Sequence, residues 1–189
     1  MPRNIEIKAR VAGWDALWAR VEAIADQGPF LIRQEDIFFR QAHGRLKLRR
    51  FDQGRGELIH YRRDDASVPK PSDYTIATTS TPDDLVRCLS LAYGMLGRVE
   101  KDRTLFLAGR TRIHLDRVVG LGDFIELEVV LDEQESNADG IREAEGLMAR
   151  LALHRSQLVA GAYIDLLLAQ TGASPRGGRI QGSEVERTV

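Results

Sequence analysis

The sequence predicts an α+β fold built on a closed, eight-stranded antiparallel β-barrel with flanking helices. Eight segments alternate with a period of two, most of them follow one another without the long crossover a parallel pair needs, and several strands carry charge on one parity and apolar residues on the other. Closure places the charged parity inside and leaves the apolar parity outside for helices to cover.

The first strand is expected over 4–11, where Asn4, Glu6, Lys8 and Arg10 alternate with Ile5, Ile7, Ala9 and Val11. A helix is expected over 14–27, because Trp14, Leu17, Trp18, Val21 and Ile24 form one apolar stripe that Gly28-Pro29 terminates. That stripe assigns both tryptophans to core packing. Strands follow at 33–40, 45–51, 57–64 and 73–79, with a hairpin loop at Asp52-Gln53-Gly54-Arg55-Gly56. Thr81-Pro82-Asp83-Asp84 supplies a capping hydroxyl, a proline suited to the first helical position and two carboxylates at the positive end of the dipole, so a helix is expected to about Tyr93. Strands at 98–107, 110–117 and 123–131 are joined through Ala108-Gly109 and Gly120-Leu121-Gly122-Asp123. Ser136 or Asn137 caps a third helix to Leu151, and Leu158–Gln170 reads as a fourth, apolar round most of its circumference. One domain over 1–170 results, and the Gly-, Ser- and Pro-containing residues 171–189 are expected to form a disordered tail.

The 189 residues hold 27 basic and 28 acidic side chains, a net charge of −1, which excludes a globally basic protein that coats nucleic acid. Cys88 is the single cysteine, so no internal disulfide forms and a reducing compartment fits. No apolar run approaches the ~18 residues needed to cross a bilayer. The expectation is a cytoplasmic monomer or homodimer without a membrane or nucleic-acid partner.

An open sheet with one wet face is the ordinary reading of such alternation. Three features weigh against it. The charges segregate by strand, with Arg45, Lys47, Arg49, Lys101 and Arg103 on some and Glu126 and Glu128 on another. Long cations two residues apart repel unless an anion lies between them. The helices also need apolar sheet surface, which the other parity supplies. In a lumen, a polyanion and divalent metal ions would neutralise both sets at once, with cations on phosphate oxygens and carboxylates on metal. A triphosphate is the natural size for such a channel. By the same repulsion argument, removing Arg49 together with Arg103 is expected to stabilise the unliganded protein.

The motifs Asn4-Ile5-Glu6-Ile7-Lys8, Gln34-Glu35-Asp36-Ile37-Phe38-Phe39, Arg45-Leu46-Lys47-Leu48-Arg49, Tyr61-Arg62, Lys101-Asp102-Arg103, Leu115-Asp116-Arg117-Val118 and Gly120–Glu128 occur in that order. Together with Ala162-Tyr163-Ile164-Asp165-Leu166-Leu167, they resemble the CYTH superfamily of triphosphate tunnel metalloenzymes, nearest its class IV adenylyl cyclase-like branch. The family's opening motif is Glu-x-Glu-x-Lys; here its first position is Asn4, which keeps an oxygen but brings no charge.

The resemblance implies that Glu6, Asp116, Glu126 and Glu128 bind Mg²⁺ or Mn²⁺. It implies that Lys8, Lys47, Arg49, Arg62, Lys101, Arg103 and Arg112 hold the phosphates, and that Glu6, Lys8, Glu126 and Glu128 carry catalysis. Arg62 is chosen over Arg63 from the family pattern alone. His60 and His114 are expected to line the lumen as hydrogen-bond partners, with a general-base role as the alternative. Phe38 shares the face of Asp36 and is placed to touch a nucleotide; Lys70, Ser72 and Tyr74 either close over substrate or are solvated. Three functions fit: cyclisation of ATP to cyclic AMP and pyrophosphate; hydrolysis of tripolyphosphate, thiamine triphosphate or a nucleoside triphosphate; and nucleotide or polyphosphate binding without turnover, which Asn4 favours.

Overall fold

A computed structural model describes residues 3–52 and 54–172. The strands are β1 (Arg3–Arg10), β2 (Gln27–Phe39), β3 (Arg45–Phe51), β4 (Gly56–Arg63), β5 (Lys70–Thr79), β6 (Met95–Ala108), β7 (Thr111–Val118) and β8 (Gly122–Leu131). They close into one barrel in the order β1-β5-β4-β3-β2-β6-β7-β8, and every pairing is antiparallel. Closure leaves no edge to be capped, which lets a charged face turn inward without exposing a sheet border.

The outward parity is the core. Ile7, Ile113, Leu115, Ile125 and Leu127 are buried beneath α1 (Trp14–Glu22) and α3 (Asn137–Arg150), which contribute Leu17, Val21, Leu147 and Met148. Ile37, Phe39 and Leu48 are covered by Leu85, Val86 and Leu89 of α2 (Pro82–Tyr93). Trp14 and Trp18 pack against the first cluster, and Trp18 meets Phe106 edge-on at 5.2 Å, in keeping with the core role read from their spacing. Gly140 lets α3 approach closely: a Cβ there would lie 2.6 Å from Ile5 Cγ1 and 2.7 Å from Leu131 Cδ2.

Ser136 caps α3, its Oγ accepting from the Asp139 amide at 3.3 Å. Thr81 precedes α2 without a side-chain cap, so Pro82 starts that helix without the expected hydroxyl. The first helix stops at Glu22, short of residue 27, because the Asp26 amide donates to the Leu107 carbonyl at 2.7 Å and Gln27 joins the β6 ladder. Strand β2 therefore starts six residues before the expected 33.

The fourth helix, α4 (Tyr163–Gln170), also begins late. Leu158 bridges to Ala9, the Val159 amide donates to the Lys8 carbonyl at 2.9 Å, and Gly161 at φ 79° turns the chain into the helix. Thr171 and Gly172 form the turn after α4, and the rest of the expected tail lies outside the described residues.

Candidate triphosphate site

The inward parity of all eight strands lines one cavity of 370 Å³, within the ~300–1,000 Å³ range of small-molecule sites. One end is crossed by the segment leading into α4. Gly161 O accepts from Arg63 Nη2 at 2.7 Å and from Lys8 Nζ at 3.3 Å, and Ala162 and Tyr163 face the cavity. Lys8 Nζ also stands 3.9 Å over the Tyr163 ring. Toward the other end the lining turns apolar, through Ile32, Phe51, Ile76 and Leu105.

Between the ends, anions are interleaved with cations. Asp36 accepts from Lys47 Nζ at 2.7 Å and Arg49 Nε at 2.9 Å, because β2 and β3 set Asp36 opposite Arg49. Burial opposes its charge, yet Arg49, Lys47 and Lys101 hold its carboxyl well below the ordinary range. Burial and the nearby Arg49 push Lys47 down to about 7, against the pull of Asp36. On the far wall Lys8 meets Glu126 at 3.0 Å, Arg112 Nε donates to Glu128 at 2.9 Å, and Arg103 bridges Asp116 and Glu126. The expected repulsion between lumen cations is thus answered within the protein.

Glu6, Lys8, Glu126 and Glu128 line the cavity as expected, as do Lys47, Arg49, Lys101, Arg103 and Arg112. Two expected residues are placed otherwise. Arg62 is exposed and outside the lining, since β4 turns Glu57, Ile59, Tyr61 and Arg63 inward; Arg63 takes its place and pairs with Glu6. Asp116 is fully enclosed beneath the lining, with Arg103, Lys101 and Tyr163 on its oxygens. It braces the cationic wall and, unlike Glu6, Glu126 and Glu128, is not among the residues that line the cavity. His60 faces outward with its Nε2 3.1 Å from the His43 carbonyl, whereas His114 lines the cavity. Ser72 and Tyr74 line it as well.

Sequence reasoning did not assign Asp36, Arg63 or Tyr61 to the site. Asp36 was detectable from its parity with Gln34 and Phe38; Arg63 was not, because β4 carries two apolar residues on its inward face.

A second grouping suits a metal ion. His114, Glu126 and Glu128 offer one ligand atom each, all within 4.8 Å of one another. His114 Nδ1 is buried without a hydrogen-bond partner. Burial and Arg103 push the imidazole down to about 3, so it is neutral near pH 7, while His114 and Arg112 outweigh burial to hold Glu128 down at about 2. Two carboxylates beside a neutral imidazole form a donor set that fits a divalent ion.

A family model described as the CYTH domain matches residues 2–163. The chain belongs to the CYTH family. Membership bears out the resemblance read from the motifs, to a family whose enzymes act on triphosphates with a divalent metal. The chain is 28% identical to adenylate cyclase CyaB of Aeromonas hydrophila over 74 residues, and the match spans 39% of each of the two chains. In fold, this CYTH chain is similar to protein PH1012 of Pyrococcus horikoshii OT3, with TM-score 0.77, 22% identity, and 86% of this chain and 98% of that one covered. It is also similar to HpAC1 of Hippeastrum, a protein described as having a dominant triphosphatase activity, with TM-score 0.57, 17% identity, and 90% and 97% covered. Among the described residues no helix is long and apolar enough to cross a membrane.

Proposed function

We propose that this CYTH protein is a divalent-metal-dependent enzyme of the class IV adenylyl cyclase type, converting ATP to cyclic AMP and pyrophosphate. The observation that carries this reading is the order of groups along the cavity. Lys8 and Arg63 reach Gly161 at one end, Glu126 and His114 stand level with Lys8 across β1, β8 and β7, Glu128 stands one inward position further along β8, and Ile32, Phe51, Ile76 and Leu105 line the cavity away from Gly161. In this reading a nucleotide enters phosphates first, so that its triphosphate lies among the cations with the carboxylates and His114 beside it, and its nucleoside rests against the apolar side chains.

Glu126, Glu128 and His114 would hold the metal. A bound divalent ion supplies Lewis acidity to the phosphoryl oxygens and makes a neighbouring hydroxyl more acidic. The ribose 3′-oxygen forms a bond to the α-phosphorus as the bond to the β-phosphate oxygen breaks, and its proton passes to water. Lys8, Lys47, Lys101 and Arg103 take up the negative charge that accumulates on the departing pyrophosphate. No covalent intermediate is needed.

The triphosphatase reading uses the same cations and is supported by the fold shared with HpAC1. Incubating the protein with Mn²⁺ or Mg²⁺ and ATP, tripolyphosphate or thiamine triphosphate, then identifying the products, separates the alternatives. Cyclic AMP with equimolar pyrophosphate from ATP is expected. Orthophosphate as the main product establishes the triphosphatase instead, and tight binding without either product establishes a non-catalytic receptor.

A further inference from the structure

We infer that His114 is a direct nitrogen ligand, so that the cavity holds one divalent ion in a mixed imidazole–carboxylate site and selects manganese or a later transition ion over magnesium. The inference rests on the metal dependence proposed above and concerns which residues and which ion satisfy it.

Three observations carry it. His114 is 5% exposed, and its Nδ1 has no hydrogen-bond partner despite facing two carboxylates. Nδ1 lies 3.6 Å from Glu128 Oε1 and 3.9 Å from Glu126 Oε2, beyond hydrogen-bond range. Ligand atoms each about 2.1 Å from a shared ion lie about 3.0–3.6 Å from one another, so the observed spacing needs little adjustment. Second, of the expected acidic ligands only Glu126 and Glu128 face His114; Glu126 is itself paired with Lys8 and Arg103, so a bound ion shares or displaces those contacts. Arg63 holds Glu6, and Asp116 is enclosed by Arg103, Lys101 and Tyr163. Arg112 takes Glu128 Oε2, which leaves Oε1 as the oxygen nearer His114. Third, position 4 is an amide: Asn4 Oδ1 is buried without a partner and adds no charge that would favour a second ion.

A set of one nitrogen and two carboxylates carries two negative charges, enough for one divalent cation. A nitrogen ligand adds little for Mg²⁺, which prefers oxygen donors in a strict octahedron, and more for transition ions, least for Mn²⁺ and increasingly for the later ones. Ligation through Nδ1 requires the tautomer that carries its proton on Nε2.

The test loads the full chain with Mn²⁺ alone. Stoichiometry and Kd are read from the loss of the free-ion electron paramagnetic resonance signal, and ¹⁴N coupling from electron spin-echo modulation. One bound Mn²⁺ per chain with imidazole nitrogen coupling is expected. In His114→Ala the coupling disappears and Mn²⁺ affinity falls at least tenfold, while Mg²⁺ affinity, measured by competition, changes less than twofold. Bound Mn²⁺ without nitrogen coupling in the unsubstituted protein overturns the His114 assignment and leaves the metal-dependent reading standing. No bound Mn²⁺ at millimolar concentration overturns both. The coupling measurement on the unsubstituted protein decides the question even if His114→Ala does not fold.

Discussion

Arg103 presents Nε and Nη2 to the two oxygens of Asp116, at 2.7 and 2.6 Å, in a bidentate pair that is almost wholly excluded from solvent. Lys101 and the Tyr163 hydroxyl complete the contacts of that carboxylate. Removing one partner of a buried pair strands the other charge, which costs about 3–5 kcal/mol. Asp116→Ala is therefore expected to lower unfolding free energy by about that amount in urea denaturation. The double variant Arg49→Ala with Arg103→Ala, expected from strand charges alone to stabilise, is now expected to melt below the unsubstituted protein, because it leaves Asp36 and Asp116 without their bidentate partners.

The neighbouring arginines 62 and 63 provide an internal control. Arg63 faces the cavity and Arg62 faces solvent, so Arg63→Ala should weaken tripolyphosphate binding about ten- to hundredfold, the value of a hydrogen bond to a charged group. Arg62→Ala should leave Kd unchanged in the same calorimetric titration. A loss in Arg62→Ala and none in Arg63→Ala would show that β4 is turned the other way.

The barrel was legible because most of its strands declare their parity. In β1, β3, β7 and β8 every second residue is strongly apolar or charged, and the structure keeps those faces. Where parity is weak, inference failed: β4 turns Glu57, Ile59, Tyr61 and Arg63 inward, a mixed set that gave no sign of direction. The start of β2 was illegible for another reason. Gln27–Leu31 are exposed and lack alternation, so only their pairing with β6, a contact remote in sequence, makes them a strand. The role of Asp116 was hidden likewise, since parity places it inside without saying that three neighbours cover it.

Proton uptake should report on Lys47. With its ammonium pushed down to about 7, much of this side chain is neutral at pH 8 in the unliganded protein, and a phosphate oxygen beside it restores the proton. Calorimetry at pH 8 in buffers of different ionisation enthalpy should show tripolyphosphate binding taking up nearly one proton more than in Lys47→Arg, whose guanidinium stays charged. Affinity should fall as pH rises through about 7. For folding the sign is opposite: between about 7 and 10.5 the unfolded chain holds the proton that the folded one lacks, so this lysine's contribution makes the unliganded protein more stable as pH rises through that window. Identical proton counts in the two proteins would contradict the assignment.

Gly140 tests the outer packing independently of the site. Alanine there gains up to about 1 kcal/mol in helix propensity but forces its methyl against Ile5, whose branched side chain has little freedom to move. Overpacking costs about 1–3 kcal/mol, so Gly140→Ala is expected to lower stability in denaturant titrations, with ligand affinity unaffected.

The residues from Leu158 to Tyr163, tied to β1 through Leu158 and to Lys8 and Arg63 through Gly161, cross one mouth of the barrel. On the proposed reading, a substrate that enters past Ile76 and Leu105 is expected to leave by the same route, with the product nearest Gly161 released last. Long polyphosphates are then expected to engage the charged wall by their terminal units and not to be threaded through and trimmed processively. In that arrangement the crossing segment acts as a stop that gauges chain length, and the order in which products depart follows their depth.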